Sequence, residues 1–122
     1  MKSYTDLEQS KKLAEILPLE SADMKWYFWK SEIDAPKLPT FGYSKTAAES
    51  YREYTEVIYL ACWSLTALLN VIPIEHNLHD YLTENGMVYR VETLYAGSSK
   101  SYDNPVDACY EMIIKLHELD LL

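Results

Sequence analysis

Glycine is scarce in this chain, with three copies in 122 residues. Phosphate-binding loops need several glycines close together, because a backbone without side chains is what approaches the phosphate oxygens and makes the tight turns. The sequence therefore excludes the P-loop and the dinucleotide-binding fingerprint. Proline has five copies. Two of them, Pro18 and Pro73, each follow an amphipathic segment and mark its end.

Cysteine is scarcer still, and its two copies, Cys62 and Cys109, stand in unrelated segments. This spacing supports neither a disulfide framework nor a zinc site. Cys62 comes just before Ser64, a residue suited to cap a helix, and a helix start can stabilise a thiolate. No histidine or acid has a fixed spacing to Cys62, so the sequence favours a buried thiol over a nucleophile.

Histidine, with three copies, gives little support for a metal site. His76 and His79 lie near Glu75 and Asp80 but lack the i, i+4 spacing of ligands on one helix face. A predicted hairpin offers His79 a simpler partner in Glu92, and an ion pair across two strands is favoured. We predict no metal, no cofactor and no catalytic residue in this chain.

Positive charge is also limited, with 11 Lys and Arg against 19 Asp and Glu and a net charge of −8. Residues 1–61 carry −2 of this charge and residues 62–122 carry −6. Proteins that bind phosphate groups gather their lysines and arginines on one face. The one local basic cluster is Lys11 and Lys12, so the sequence disfavours direct binding of nucleic acid or of an anionic membrane.

Long apolar runs are missing. The longest, from Val57 to Trp63, is far shorter than the roughly 20 residues that a helix needs to cross a bilayer. The segment after Met1 is polar, and no stretch there has the length of a signal-peptide core. We expect a cytoplasmic protein.

The features that are present describe an α+β fold. Apolar residues at helical spacing, bounded by capping residues and prolines, predict three helices over residues 5–17, 64–72 and 105–119. The last should bury a stripe formed by Val106, Cys109, Ile113 and Leu116. The prediction is one domain, residues 1–122, with three to four helices packed on one antiparallel sheet of three to five strands.

Asn85-Gly86 predicts a β-hairpin at residues 78–95. Asn-Gly suits a type I′ turn, in which both central residues have a positive φ angle. With these two residues as the loop, Leu82 stands opposite Tyr89 and His79 opposite Glu92. The face that carries Leu82 and Tyr89 should meet the helices, and the other face should be exposed to water.

Residues 22–31 alternate like a strand but carry aromatic residues on both faces. Met24, Trp26 and Phe28 point one way and should pack on the helices, which leaves Tyr27 and Trp29 on the opposite side. Because a bare aromatic pair is an exposed apolar patch, we expect a covering segment or a second subunit there.

We interpret residues 33–60 as an insertion that supplies this cover. Residues 46–49 have the form of a capping box, and residues 54–60 fit a helical face or a strand, with the strand favoured. Tyrosine is abundant, with 11 copies, and suits half-buried contact sites. The predicted contact surface comprises Tyr27, Trp29, Tyr43, Tyr51 and Tyr54.

Three blocks of the sequence resemble a known group of proteins. These are Glu8 to Met24, Cys62 to Pro73 and Asn104 to Leu122. They are similar to small proteins of gut Bacteroides and of their prophages and conjugative elements. That group has no assigned activity, so the resemblance implies no catalytic or binding residue. It implies a bacterial cytoplasm, a mobile-element setting, and a scaffold role for the shared blocks.

Three functions are consistent with these observations. The favoured one is a non-enzymatic interaction protein, an accessory factor of a mobile element that binds a protein partner or a second copy of itself. A small enzyme that uses carboxylates or Cys62 is an alternative from another class. The third is a mimic of nucleic acid, in which the acidic residues 62–122 occupy the DNA-binding groove of a host protein.

Overall fold

A computed structural model of the chain describes residues 1–32, 38–41, 53–54 and 57–122. Its contacts divide the chain into two compact units: an N-terminal unit of residues 6–64, and a C-terminal unit of residues 65–122 together with residues 1–5. The α+β class is confirmed. The described residues form three α-helices, none of them long and apolar enough to span a membrane, and two antiparallel sheets where the sequence predicts one. An alternating pattern fixes which face of a strand is buried but not which strand it pairs with.

Helix α1 of the N-terminal unit, Leu7–Ile16, begins with a capping box. The Asp6 carboxylate accepts the backbone N–H of Gln9 at 2.8 Å, and the Gln9 side chain accepts the backbone N–H of Asp6 at 3.2 Å. These bonds satisfy two backbone donors that a helix start otherwise leaves unpaired. The sequence offers Thr5 and Asp6 as possible caps, and Asp6 is the one the chain uses.

The N-terminal unit has a four-stranded sheet in the order β2-β1-β4-β3. Its strands are β1 (Met24–Trp29), β2 (Thr40–Phe41), β3 (Glu53–Tyr54) and β4 (Val57–Cys62). Strand β1 pairs with β4 over its whole length, from Met24 opposite Cys62 to Trp29 opposite Val57. Residues 57–60 therefore belong to an inner strand of the sheet, which confirms the strand interpretation for them.

The inward face of β1 is buried as predicted. Met24, Trp26 and Phe28 are each at most 6% exposed, and α1 packs on β4 of the same sheet. The indole N–H of Trp26 donates to the hydroxyl of Ser10 at 3.3 Å, so the one polar atom of this buried ring has a partner on α1.

The end of β4 is joined to the turn that precedes β1. Trp63 is fully buried, and its indole N–H donates to the hydroxyl of Ser21 at 2.9 Å. The backbone N–H of Ser64 donates to one oxygen of Asp23 at 2.9 Å, and the Ser64 hydroxyl donates to the other. Bonds to a charged acceptor are among the stronger ones, so this cluster stabilises the N-terminal unit.

The C-terminal unit has a three-stranded sheet in the order β5-β6-β7. Its elements are α2 (Leu65–Val71), β5 (His76–Thr83), β6 (Gly86–Thr93), β7 (Gly97–Ser98) and α3 (Pro105–Glu118). Helix α3 packs on β6 and on α2. The Asn104 side chain caps α3 by accepting the backbone N–H of Asp107 at 2.9 Å. The predicted stripe is confirmed, because Val106, Cys109, Ile113 and Leu116 have no exposed area.

Strands β5 and β6 form a hairpin, but its loop is Glu84-Asn85 rather than Asn85-Gly86. Thr83 stands opposite Gly86, and Leu82 opposite Met87 instead of Tyr89, so the predicted register is wrong. A type I′ turn needs a positive φ at both central residues, whereas here Gly86 alone has one, at 110°. The predicted and observed partners of each residue differ by two positions along the strand. Because side chains alternate with a period of two, every side chain still lies on its predicted face.

Alanine in place of Gly86 is expected to destabilise the protein by about 1–2 kcal/mol, because a side chain at this φ meets its own backbone. Space is not the cause, since an added Cβ at Gly86 has no neighbour within 4 Å. Asn85→Ala is the matched control, expected to change the free energy of unfolding by roughly 0.5 kcal/mol or less. Urea unfolding measures both. Equal losses in the two variants would indicate that both positions need a positive φ, as in the predicted turn.

Candidate contact surface

The outward face of β1 presents two half-exposed aromatic side chains. Tyr27 is 49% and Trp29 is 50% exposed, while their neighbours on the inward face are buried. Tyr59 on β4 stands directly opposite Tyr27, and the two ring centroids lie 4.6 Å apart at an interplanar angle of 53°. We call these three residues, Tyr27, Trp29 and Tyr59, the aromatic face.

Of the predicted surface, Tyr27 and Trp29 lie on one face of one strand. Tyr43 and Tyr51 lie outside the described residues. Tyr54 belongs to β3, where its backbone pairs with Val57, and its side chain is also outside the described part of the structure. Whether residues 36–60 cover Tyr27 and Trp29 stays a prediction.

Tyr59 was not predicted as a member of this surface. The sequence offers a signal for it, since residues 57–60 have the β-branched, aromatic and aliphatic composition of a strand. Recognising this segment and residues 24–29 as antiparallel neighbours would have placed Tyr59 beside Tyr27. Pairing partners are not encoded by alternation alone, so the residue was missed.

Chemically, the aromatic face suits contact rather than catalysis. Two large rings held on a regular strand offer apolar area with little conformational freedom to lose on binding. Lys25 shares this face by alternation along β1 and is half-buried.

The two thiols are not accessible. Cys62 and Cys109 both have no exposed area. Burial raises the pKa of the Cys109 thiol to about 12, so it is protonated at neutral pH. A substrate has no access to the Cys62 side chain in this structure.

A pair of carboxylates near the start of α3 is held by a structural network. The Asn104 side-chain amide donates to Asp103 and to Asp107, at 2.8 Å each. Lys2 forms an ion pair with Asp107 at 2.8 Å. Asp103 therefore helps to orient the capping side chain of Asn104, and Asp107 joins Lys2 to the start of the helix.

The histidines of β5 contact ordinary partners. Nδ1 of His76 lies 2.9 Å from the carbonyl oxygen of Ile74, and Nε2 of His79 lies 3.1 Å from a carboxylate oxygen of Glu92. The predicted contact of His79 with Glu92 is therefore present, although Arg90 is the residue directly opposite. In the described ranges no three His, Cys, Asp or Glu side chains stand close enough to hold a metal ion.

A shallow groove of about 450 Å³ runs along α3 beside β7. Its carboxylate Glu111 already accepts the backbone N–H of Lys100 at 2.6 Å and the hydroxyl of Tyr102 at 3.0 Å. Burial, together with the bond to Glu111 and its charge, raises the pKa of Tyr102. The lining residues are Ser98, Lys100, Glu111, Ile114, Lys115 and Glu118. Glu111 thus has a structural role here.

Comparison of the chain with protein-family models, with curated proteins and with solved structures finds no match.

Proposed function

We propose that the protein is a non-enzymatic interaction protein that binds a protein partner through the aromatic face. The observation that carries this proposal is the half-exposure of Tyr27 and Trp29 side by side on a strand whose other face is buried. Tyrosine and tryptophan are enriched at the energetic centres of protein interfaces, where burying each ring removes a large apolar area from water.

The charge of the chain supports a protein partner over nucleic acid. With a net charge of −8, the molecule repels a phosphate backbone. Aromatic side chains that stack on bases are normally accompanied by a positively charged groove. We therefore propose neither direct nucleic-acid binding nor membrane binding.

The proposal also includes the cellular setting of this interaction. The resemblance to small proteins of Bacteroides prophages and conjugative elements supports an accessory factor of a mobile element, acting in a bacterial cytoplasm. An enzyme that uses Cys62 is less well supported, because that side chain has no exposed area.

Site-specific photo-cross-linking tests the surface directly. A photoreactive phenylalanine analogue in place of Trp29 is expected to give one discrete protein adduct in cells of the native host. The matched control places the same analogue at Tyr95, which is 71% exposed in the turn between β6 and β7. The control is expected to give no such adduct, and mass spectrometry identifies the linked chain.

Each outcome has a defined meaning for this surface. An adduct of twice the chain's own mass would assign the aromatic face to a homodimer, and Trp29→Glu should then yield a folded monomer in light scattering. The absence of any adduct from position 29, or the same adducts from both positions, would contradict the proposal.

A further inference from the structure

Strand β5 is the free edge of the sheet in the C-terminal unit. The strand order is β5-β6-β7, and within the described part of the chain no other strand pairs with β5. It is long for an edge strand, with eight residues that all pair with β6, from His76 opposite Thr93 to Thr83 opposite Gly86. Such an edge presents a row of backbone groups that another strand can pair with.

The hydrogen bonds of β6 show which backbone groups of β5 point outward. Tyr89 exchanges both backbone bonds with Tyr102, and Val91 accepts the backbone N–H of Ser99, all on the side away from β5. Successive residues of a strand direct their N–H groups to opposite edges. The residues paired with Val91, Tyr89 and Met87 therefore direct their N–H and C=O groups to the free edge. These are Leu78, Asp80 and Leu82.

Three of the usual protections of an exposed edge, lysine, proline and a bulge, are missing from β5. The strand contains no lysine and no proline, and its pairing with β6 has no bulge. These are the devices by which natural sheets prevent unwanted pairing. Asp80 is the one acidic residue of the strand, and it is exposed.

An apolar pair lies beside this edge at the tip of the hairpin. Leu82 is 76% and Met87 is 39% exposed, and the two stand directly opposite each other. Both side chains lie on the face of the sheet against which α3 packs. Helix α3 covers this face at the end of the hairpin away from its loop, where the hydroxyl oxygen of Thr93 lies 3.8 Å from the sulfur of Met112. An additional strand beside β5 would place its own side chains next to Leu78 and Leu82, and would cover the second of these.

Charge distinguishes between the candidate occupants. Consider two copies of the chain whose β5 strands pair antiparallel, with Leu78 of one copy opposite Leu82 of the other. In this register Asp80 of one copy faces Asp80 of the other. Like charges directly opposite each other destabilise a sheet. The C-terminal unit contains four basic and nine acidic residues, a net charge of −5. A basic peptide segment is therefore attracted both by the net negative charge of the unit and by the carboxylate of Asp80.

We propose that the free edge of β5 binds an extended segment of a basic partner protein as an additional strand. In this segment a lysine or arginine lies opposite Asp80, and apolar residues two positions away on each side lie beside Leu78 and Leu82. Backbone hydrogen bonds supply the pairing and the alternate side chains supply the selectivity. This edge involves none of the residues of the aromatic face.

A synthetic peptide tests this pairing. The probe is the peptide Thr-Val-Thr-Lys-Thr-Val-Thr. Its central lysine is meant to lie opposite Asp80, and its two valines beside Leu78 and Leu82. At a free peptide concentration ten times the dissociation constant, amide exchange of Leu78, Asp80 and Leu82 is expected to slow about tenfold. The amides of His79 and Tyr81 should not change, because they already bond to β6. NMR of the 15N-labelled protein measures all five.

Charge reversal supplies the matched controls. A peptide with glutamate at its centre is expected to bind about three- to tenfold more weakly than the lysine peptide. Asp80→Lys should reverse this preference, whereas Glu118→Lys makes the same change in net charge at an exposed site of α3 and should leave the preference intact.

Three results would overturn the proposal. The first is unchanged exchange of the three outward amides at millimolar peptide. The second is equal binding of the lysine and glutamate peptides by the unsubstituted protein. The third is slowing of these amides with rising protein concentration in the absence of peptide, which would assign the edge to a second copy of this chain.

Discussion

Replacing Trp63 with alanine is expected to lower the free energy of unfolding by about 3–5 kcal/mol, the usual cost of truncating a buried tryptophan. The side chain has no exposed area, so its removal leaves a large cavity that the surrounding residues fill incompletely. The hydroxyl of Ser21 also loses the indole N–H that it accepts at 2.9 Å. Urea denaturation followed by circular dichroism measures the loss.

Trp29→Ala is the matched control for this prediction, because it removes the same side chain from the same unit. Trp29 is 50% exposed, and its truncation is expected to cost roughly 1 kcal/mol or less. Equal losses in the two variants would mean that Trp29 is covered in solution, by residues 36–60 or by a second copy. A loss below about 1 kcal/mol for Trp63→Ala would contradict the buried position of that ring.

The helices could be predicted from the sequence because their signals are local. Asp6 with Gln9, and Asn104 followed by Pro105, each place a capping residue within one turn of the helix that it caps. Capping depends on the side chains of neighbouring residues, so it is encoded within a few positions. The buried stripe of α3 follows from the 3.6-residue period for the same reason.

The arrangement of the strands was predictable only in part. Alternation assigned the inward residues of β1 correctly, yet the pairing of β1 with β4 joins segments about thirty residues apart along the chain. The turn was placed one residue too late because Asn-Gly also occurs with glycine as the first residue after the loop, as Gly86 is here. The sequence predicts one insertion over residues 33–60 because Pro36, Pro39 and Gly42 interrupt regular structure there.

For the candidate surface too, the features set within one strand could be predicted, and those set by the pairing of strands could not. The orientation of Tyr27 and Trp29 follows from alternation along one strand, so the sequence predicts it. The position of Tyr59 beside Tyr27, and the free edge of β5, depend on which strands are neighbours. Such neighbours are chosen by the packing of the whole sheet, which a local pattern does not contain.

Replacing Ile113 with alanine is expected to lower the free energy of unfolding by about 2–5 kcal/mol. Ile113 has no exposed area and lies on α3, the helix that packs on both α2 and β6 of the C-terminal unit. Alanine is a strong helix former, so the loss reflects the cavity and the lost burial rather than a weaker helix. Thermal and urea unfolding both measure this loss.

The adjacent residue provides the control. Ile114→Ala makes the same chemical change one position further along α3, at a half-buried side chain that lines the shallow groove. Its expected cost is about 1 kcal/mol or less, because much of the removed surface was already in contact with water. The difference between the two variants isolates burial from helix propensity, since both substitutions share the same helix and the same residue types. If Ile114→Ala were the more damaging change, the face that α3 turns toward the sheet would have to be reassigned.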